Sequence, residues 1–209
     1  MKYSAVIVAA GSGSRMNLGY NKVLYEMEPG VRVLDKSLAL FQSDPDCAEI
    51  IVVLSEGDYT IALPEGVKRA HGGATRAHSV YGGVSLASQE YVMIHDGARP
   101  YLSQEVVDRL KEALKEYSAA FPAIPEKDTI REVNNGIVVK TLERSSLYHA
   151  QTPQAFRTDL ILKSLKKVLE DGVAVTDDVQ AVEYATKEKI KMVPGDEANR
   201  KLTVKEDLK

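Results

Sequence analysis

The residues best suited to chemistry gather first at the N-terminal edge. There the apolar run Ala5-Val-Ile-Val-Ala9-Ala10 enters the turn Gly11-Ser-Gly13-Ser-Arg15-Met16, and Lys22 follows shortly after. A short β-branched run leading into glycines reads as a buried strand opening into a loop whose backbone N–H groups face a ligand. Gly11 and Gly13 let the main chain approach phosphate closely, and Arg15 and Lys22 add positive charge at the same rim. Together they point to a triphosphate site. A dinucleotide fold would want a third glycine where Met16 stands, and its second strand within a βαβ unit of about 30 residues; the next strand-like run, Glu49 to Leu54, comes too late. A Walker loop fails because no Gly-Lys-Ser/Thr follows. Gly-x-Gly alone would also suit a plain strand-to-helix turn; the two cations favour phosphate.

Two further clusters carry chemistry. His71-Gly-Gly73-Ala-Thr-Arg76-Ala-His-Ser79 follows a short strand-like run, and its glycines again permit close backbone approach. It reads either as an ordinary helix start or as a loop where main-chain groups and the Ser79 hydroxyl read a planar base. Tyr91-Val-Met-Ile-His95-Asp96-Gly-Ala98-Arg99-Pro100 is a strand ending in a carboxylate and a guanidinium, at the edge where open α/β sheets bind ligands. Asp96 suits Mg²⁺ and Arg99 suits phosphate. His95, without a Cys or Asp at ligand spacing, reads as structural. Thr176-Asp177-Asp178 reads most simply as a helix cap with acids complementing the dipole, and Lys201 as a solvated charge. No Gly-x-Ser-x-Gly or paired histidines are present, and Cys47 has no evident partner, so nucleophile–base chemistry is not indicated.

These residues need a scaffold, and the apolar pattern supplies one. Strand-length runs recur at Tyr3–Ala9, Glu49–Leu54, Val67–Ala70, Tyr91–His95, Ala119–Ala123 and Lys189–Val193. Between them, Val106, Val107, Leu110, Ala113, Leu114 and Tyr117 form one helical stripe behind Ser103, and Leu160, Ile161, Leu165, Val168 and Leu169 form another behind Thr158. Alternation of strands and helices predicts an α/β fold with a mostly parallel twisted sheet flanked by helices. Asp128–Leu142 breaks the rhythm: Asn134-Asn135-Gly136 between β-rich flanks predicts a hairpin. Such an arm is marginal alone in water, so it should pack on a partner subunit or on the parent sheet.

The bulk properties set the class. At 209 residues the length favours one domain. A net charge of −3 and a pI near 5.9 give no basic footprint for nucleic acid. No apolar run reaches membrane-span length, and no signal-peptide pattern opens the chain. One cysteine, Cys47, excludes an internal disulfide and implies a reducing, cytoplasmic setting, with its thiol a packing group.

Taken together the motifs resemble the 2-C-methyl-D-erythritol 4-phosphate cytidylyltransferases of non-mevalonate isoprenoid synthesis. The resemblance runs from about Tyr3 to Asp207. It rests on Ala9-Ala-Gly-x-Gly-x-Arg15-Met, Lys22, Gly72-Gly-x-x-Arg76-x-x-Ser79-Val, His95-Asp-x-Ala-Arg99-Pro, Asp128-Thr129, Thr141-x-x-Arg144-x-x-Leu147, Thr152-Pro-Gln, Thr176-Asp and Asn199-x-Lys201-x-Thr203. It implies a Rossmann-like nucleotidyltransferase domain over residues 1–209, with a protruding β-arm inserted at about 126–148 that exchanges between subunits of a homodimer. By that resemblance Ala9, Ala10, Gly73 and Ser79 hold the cytosine and ribose of CTP. Gly11, Gly13, Arg15 and Lys22 hold the triphosphate with Mg²⁺, Arg15 and Lys22 being the catalytic pair. Asp96 faces the nucleotide and metal, with Ala98 and Arg99 beside it. Thr129 and Arg144 reach the sugar phosphate from the neighbouring arm, and Thr152, Thr176 and Lys201 complete the acceptor side.

Three departures stand out. The family often has Pro-Lys-Gln around its lysine, where this chain has Asn21-Lys22-Val23; an acid often follows the double glycine, where Ala74 stands; and members of the family usually continue into a terminal helix where this sequence stops, at Lys209. The sister reading is a ribitol-5-phosphate cytidylyltransferase, which would share the CTP half; Thr141-x-x-Arg144-x-x-Leu147 leans toward methylerythritol phosphate. A non-catalytic nucleotide-binding protein and a nicotinamide oxidoreductase are the readings from other classes.

Overall fold

The computed structural model describes residues 1–11 and 19–208. Its centre is an eight-stranded sheet, apart from which β2 (Glu26–Glu28) and β3 (Val31–Arg32) form a small antiparallel pair. β1 (Tyr3–Val8) lies between β4 (Cys47–Leu54) and β6 (Tyr91–Asp96), parallel to both, and β5 (Lys68–His71) extends the sheet beyond β4. β7 (Ala119–Pro125) and β12 (Ile190–Pro194) pair in parallel on the far side. All six apolar runs of the sequence are thus strands. Two short strands join them: β11 (Gln154–Arg157) runs antiparallel between β6 and β7, and β10 (Tyr148–Ala150) runs antiparallel to β7. The sheet is mostly parallel, as the alternating pattern predicts.

Alternation along the strands sends successive side chains to opposite faces and builds two cores. On one face Tyr3, Ala5 and Ile7 pack with Val52, Leu54 and Met93 against α1 (Val33–Ser43) and α3 (Gln104–Ala113). On the other, Val6, Ile51, Val53 and Ile94 meet α2 (Arg76–Val84), α4 (Thr158–Glu170) and α5 (Asp178–Ala185). The helix α2 comes close to the sheet because Gly83 has no side chain; a Cβ there would lie 2.6 Å from Val53 Cγ2 and 2.7 Å from Val6 Cγ1. The stripe of α3 buries Val106, Val107 and Leu110, and that of α4 buries Ile161, Leu165 and Val168.

Several boundaries differ from the sequence reading. The third helix ends at Ala113 rather than Tyr117, and Ser103 occupies its N-cap position without a side-chain hydrogen bond. Thr158 is the first residue of α4, behind Arg157 at the cap. The cap of α5 falls on Asp177, whose carboxylate accepts from the Gln180 amide at 2.9 Å, and not on Thr176. A carboxylate at that position satisfies an orphan amide and complements the helix dipole.

The hairpin forms where Asn-Gly places it. β8 (Arg131–Asn134) and β9 (Ile137–Thr141) pair only with each other, through Asn135 and Gly136 with φ of 48° and 78°. Positive φ at both turn residues suits the right-handed twist of a two-residue hairpin. Among the described residues it does not join the parent sheet, and Val133, Ile137, Val138 and Val139 remain exposed.

Candidate functional site

The carboxyl ends of β1 and β6 lie side by side, with Val8 opposite Asp96. Gly97 N donates to Val8 O at 3.0 Å and Ala9 N to Val53 O at 2.9 Å, so the segment entering the glycine turn is fixed from both sides. A cavity of about 340 Å³ opens above this edge. Ala9, Ala10 and Gly11 form one wall, and Gly73 and Ser79 form the facing one. Lys22, Asp96, Ala98 and Lys201 complete it, together with Asn21, Thr75 and Arg76.

The facing wall is a closed loop at the N-terminus of α2. Gly73 N donates to Ser79 Oγ at 3.0 Å, and that hydroxyl donates to Thr75 O at 3.0 Å. Thr75 caps the helix by accepting from His78 N. Gly72 is required by the close approach of the two walls, since a Cβ there would meet Ala10 Cβ at 2.5 Å.

Lys22 begins a 3₁₀ turn (Lys22–Leu24) capped by Asn21. Asn21 is buried, and its Nδ2 donates to Ala9 O at 2.7 Å and to Asp58 Oδ2 at 2.8 Å. One amide thus ties the lysine to the end of β1 and to the loop after β4. This polar residue stands where the resembled family often has proline, so hydrogen bonding takes over the fixing of the backbone. The Lys22 ammonium donates to Leu202 O at 2.7 Å.

Asp96 is buried and surrounded by cations. Lys201 Nζ lies 2.8 Å from its Oδ2, Arg99 Nε 3.7 Å from the same oxygen, and Arg76 Nη2 3.7 Å from Oδ1. Burial alone would raise this carboxyl, but Lys201, Arg76 and Arg99 outweigh it and hold it well below the usual carboxylate range. Asp96 is therefore an anion at neutral pH, embedded in an otherwise cationic wall. Such a wall suits a polyanion bearing a metal.

His95 lies behind the site, fully buried. Its Nε2 meets Arg99 O and its Nδ1 meets Thr152 Oγ1, each at 3.0 Å. Burial lowers its pKa to about 4, so the ring is neutral and structural. Thr152 also accepts from Asp96 N at 3.0 Å, placing it under the cavity floor rather than on its surface. Arg99 backs the wall, with Nη1 donating to Asn199 O at 2.7 Å.

The other expected residues lie apart from this cavity. Thr129 and Arg144 line a separate depression of about 490 Å³ at the base of the hairpin, with Glu126, Thr141 and Glu143. There Arg144 Nη1 donates to Lys127 O at 2.8 Å. Thr176 is exposed just before α5, with its amide and hydroxyl both donating to Gln180 Oε1. Gly13 and Arg15 lie outside the described residues. Among those described, no cluster of three His, Cys, Asp or Glu side chains could hold a metal, and no helix is long and apolar enough to cross a membrane. Cys47 is half-buried, and burial pushes its thiol up to about 11, consistent with a packing role.

The sequence assigns no site role to Asn21, Arg76 or Asn199, and Asp178 reads in it only as an acid complementing a helix dipole. The Arg76 guanidinium makes a bidentate pair with Asp178, both contacts at 2.7 Å. Asn199 is fully buried and its Nδ2 donates to Thr152 O at 2.8 Å, anchoring the segment that carries Lys201. Each partner lies far away in the chain, so no local spacing reveals the pairing.

Comparison with known proteins gives the geometry a family. The family model for IspD, 2-C-methyl-D-erythritol 4-phosphate cytidylyltransferase, matches residues 3–209. The enzymes of that name from Bacillus licheniformis and Geobacillus kaustophilus are each 39% identical to this chain over 217 residues. Both alignments cover 100% of it, with 93% and 94% of the relative. Among solved structures, the 4-diphosphocytidyl-2C-methyl-D-erythritol synthase of Anaerococcus prevotii superposes with a TM-score of 0.87 at 32% identity, covering 99% of this chain and 92% of its own. The 2-C-methyl-D-erythritol 4-phosphate cytidylyltransferase of Thermus thermophilus gives 0.83 at 31%, covering 100% and 96%. The chain belongs to the 2-C-methyl-D-erythritol 4-phosphate cytidylyltransferase family.

Proposed function

We propose that this enzyme transfers the cytidylyl group of CTP to 2-C-methyl-D-erythritol 4-phosphate. The products are 4-diphosphocytidyl-2-C-methyl-D-erythritol, an isoprenoid precursor, and pyrophosphate. The observation that carries the reading is the cavity between the Ala9–Gly11 wall and the Gly73–Ser79 loop, lined by the cations Lys22, Arg76 and Lys201 and by one carboxylate, Asp96. An acceptor phosphate oxygen attacks the α-phosphorus of CTP, and the bond to the bridging oxygen of the leaving pyrophosphate breaks. A phosphate monoester is already largely dianionic at pH 7, its second pKa being about 6, so no protein base is needed. The neutral, buried His95 fits a reaction without one.

The barrier is then mainly electrostatic: two polyanions must meet, and charge grows on the leaving group. Ala9, Ala10, Gly73 and Ser79 bind the nucleoside, while Gly11, Gly13, Arg15 and Lys22 neutralise the triphosphate. Thr176 and Lys201 serve the acceptor side, with Arg99 and Thr152 behind them holding Asp96 in place, and Thr129 and Arg144 are supplied by the arm of a second subunit in a homodimer. The exposed apolar residues of the hairpin support such a pairing. Mg²⁺ is commonly held by one or two carboxylates plus substrate phosphates, and Asp96 is the carboxylate that lines the cavity among the described residues. This donor set fits a cation arriving on the triphosphate, where it would offset phosphate charge. The reading takes the chain as one domain with an inserted arm, working in the cytoplasm.

Pyrophosphate release from CTP, assayed separately with methylerythritol phosphate and with ribitol 5-phosphate, tests the proposal. Turnover with the first and not the second is expected. The reverse preference would assign the sister reaction, and no turnover with either would overturn the reading.

A further inference from the structure

Arg76 joins the cavity wall to the start of α5. Its guanidinium donates through both terminal nitrogens to the Asp178 carboxylate at 2.7 Å and also faces Asp96 at 3.7 Å. The Asp178 side chain is 1% exposed and that of Arg76 28%, so the carboxylate is buried while the guanidinium keeps one edge toward the cavity. Arg76 is the first residue of α2 and lines the cavity, immediately beyond the loop of Gly73 and Thr75. Asp178 opens α5, two positions beyond Thr176.

The same stretch is tied to the sheet from beneath. Asp178 N and Val179 N donate to Gln154 Oε1 at 3.0 and 3.1 Å, and Gln154 Nε2 donates to Asp177 Oδ2 at 2.7 Å. Gln154 is itself buried on β11. The start of α5 therefore has two anchors, one in the sheet and one in the nucleotide loop. Replacing a buried ion pair by apolar side chains is often neutral or stabilising, so stability alone gives little reason for an arginine fork here. A fork does fix direction and distance, which an apolar contact or a lysine does not.

We propose that Arg76 is a positioning residue: through Asp178 it sets the Thr176 segment relative to the nucleotide loop, so that filling the nucleotide cavity orders the acceptor side. The inference rests on the cytidylyl-transfer reading for the names of the two substrates. Two measurements test it on the full chain. In the parent enzyme, CTP should slow amide exchange across residues 174–182, and in Arg76→Lys this slowing should be lost while the protein stays folded. Arg76→Lys and Asp178→Asn should each raise the KM for methylerythritol phosphate about tenfold or more, with kcat falling less than threefold. The double variant should be no worse than the worse single, because the two residues act as a unit. A merely structural pair would lower Tm and leave KM alone.

Unchanged exchange at 174–182 when CTP binds the parent enzyme would overturn the inference, as would acceptor KM values within twofold of the parent in a folded variant. Should Arg76→Lys not fold, Asp178→Asn and the apolar double variant Arg76→Met with Asp178→Leu carry the same test. A parent enzyme inactive with this acceptor refutes the substrate reading, while the exchange measurement still decides the coupling.

Discussion

The Lys201 ammonium lies 2.8 Å from the Asp96 carboxylate, joining the C-terminal segment to the end of β6. That segment is stitched in place on both sides of the lysine. Asn199 Nδ2 donates to Thr152 O, Leu202 N donates to Ala98 O at 2.9 Å, and Leu202 O accepts from Lys22. One short stretch therefore delivers a cation to Asp96 and a carbonyl to Lys22, so the two ends of the chain organise the cavity together.

Lys201→Ala should leave Asp96 with Arg76 and Arg99 at 3.7 Å, without its short charged contact. Loss of a charge-assisted hydrogen bond is worth about 1.5–3 kcal/mol, which corresponds to roughly 10–150-fold in kcat/KM. Because the lysine side chain is 36% exposed, solvent screening keeps the effect on global stability smaller. Steady-state kinetics beside a urea midpoint separates the two. A large fall in midpoint with kcat/KM preserved would assign Lys201 a structural role instead.

His95 sets a pH dependence of stability. Its folded pKa of about 4 lies below the ordinary value of 6.5, so the unfolded chain takes up the proton first as pH falls. The stabilisation is fully present above about pH 6.5 and is lost progressively toward pH 4, with an upper size of about 3 kcal/mol. Unfolding free energies at pH 7, 5.5 and 4.5 should decline in the parent and decline less steeply in His95→Asn. Equal slopes would show that another group governs this window.

Arg144 carries the arm model. It is exposed on the hairpin's base and lines the depression with Thr129, away from the nucleotide cavity of its own chain. Arg144→Ala should raise the KM for the sugar phosphate tenfold or more and leave that for CTP within twofold. Equal effects on both would count against a separate acceptor role for the arm.

Gly83→Ala probes the seam between α2 and the sheet. Alanine favours a helix over glycine by about 1 kcal/mol, but its methyl would press on Val53 and Val6, and overpacking costs about 1–3 kcal/mol. Net destabilisation is expected in a thermal melt; a higher Tm would mean that the seam can open freely.

The frame was legible because its signals are local. The runs at Tyr3, Glu49, Val67, Tyr91, Ala119 and Lys189 are long enough to read, and Asn135-Gly136 marks its turn unaided. β10 and β11, of three and four residues, are too short for alternation to register, and Gln154 puts a polar residue in a buried strand. The first helix carries Leu34, Leu38 and Phe41 at helical spacing, yet Arg32 at its cap gives no N-terminal signature. Within the site, contiguous motifs announced Gly11, Lys22, Ser79 and Asp96. Arg76 and Asp178 are silent in the sequence because their meaning lies in a contact between distant segments, and Thr176 and Asp177 are both good caps, so spacing alone does not choose between them.

Kcat of Lys22→Ala at saturating CTP and methylerythritol phosphate tests most directly whether cations at the N-terminal edge neutralise the reacting phosphates. A fall of about a hundredfold to a thousandfold is expected, the scale of losing one preorganised donor to a developing anion, about 3–4 kcal/mol. A folded variant whose kcat stays within threefold of the parent would contradict it.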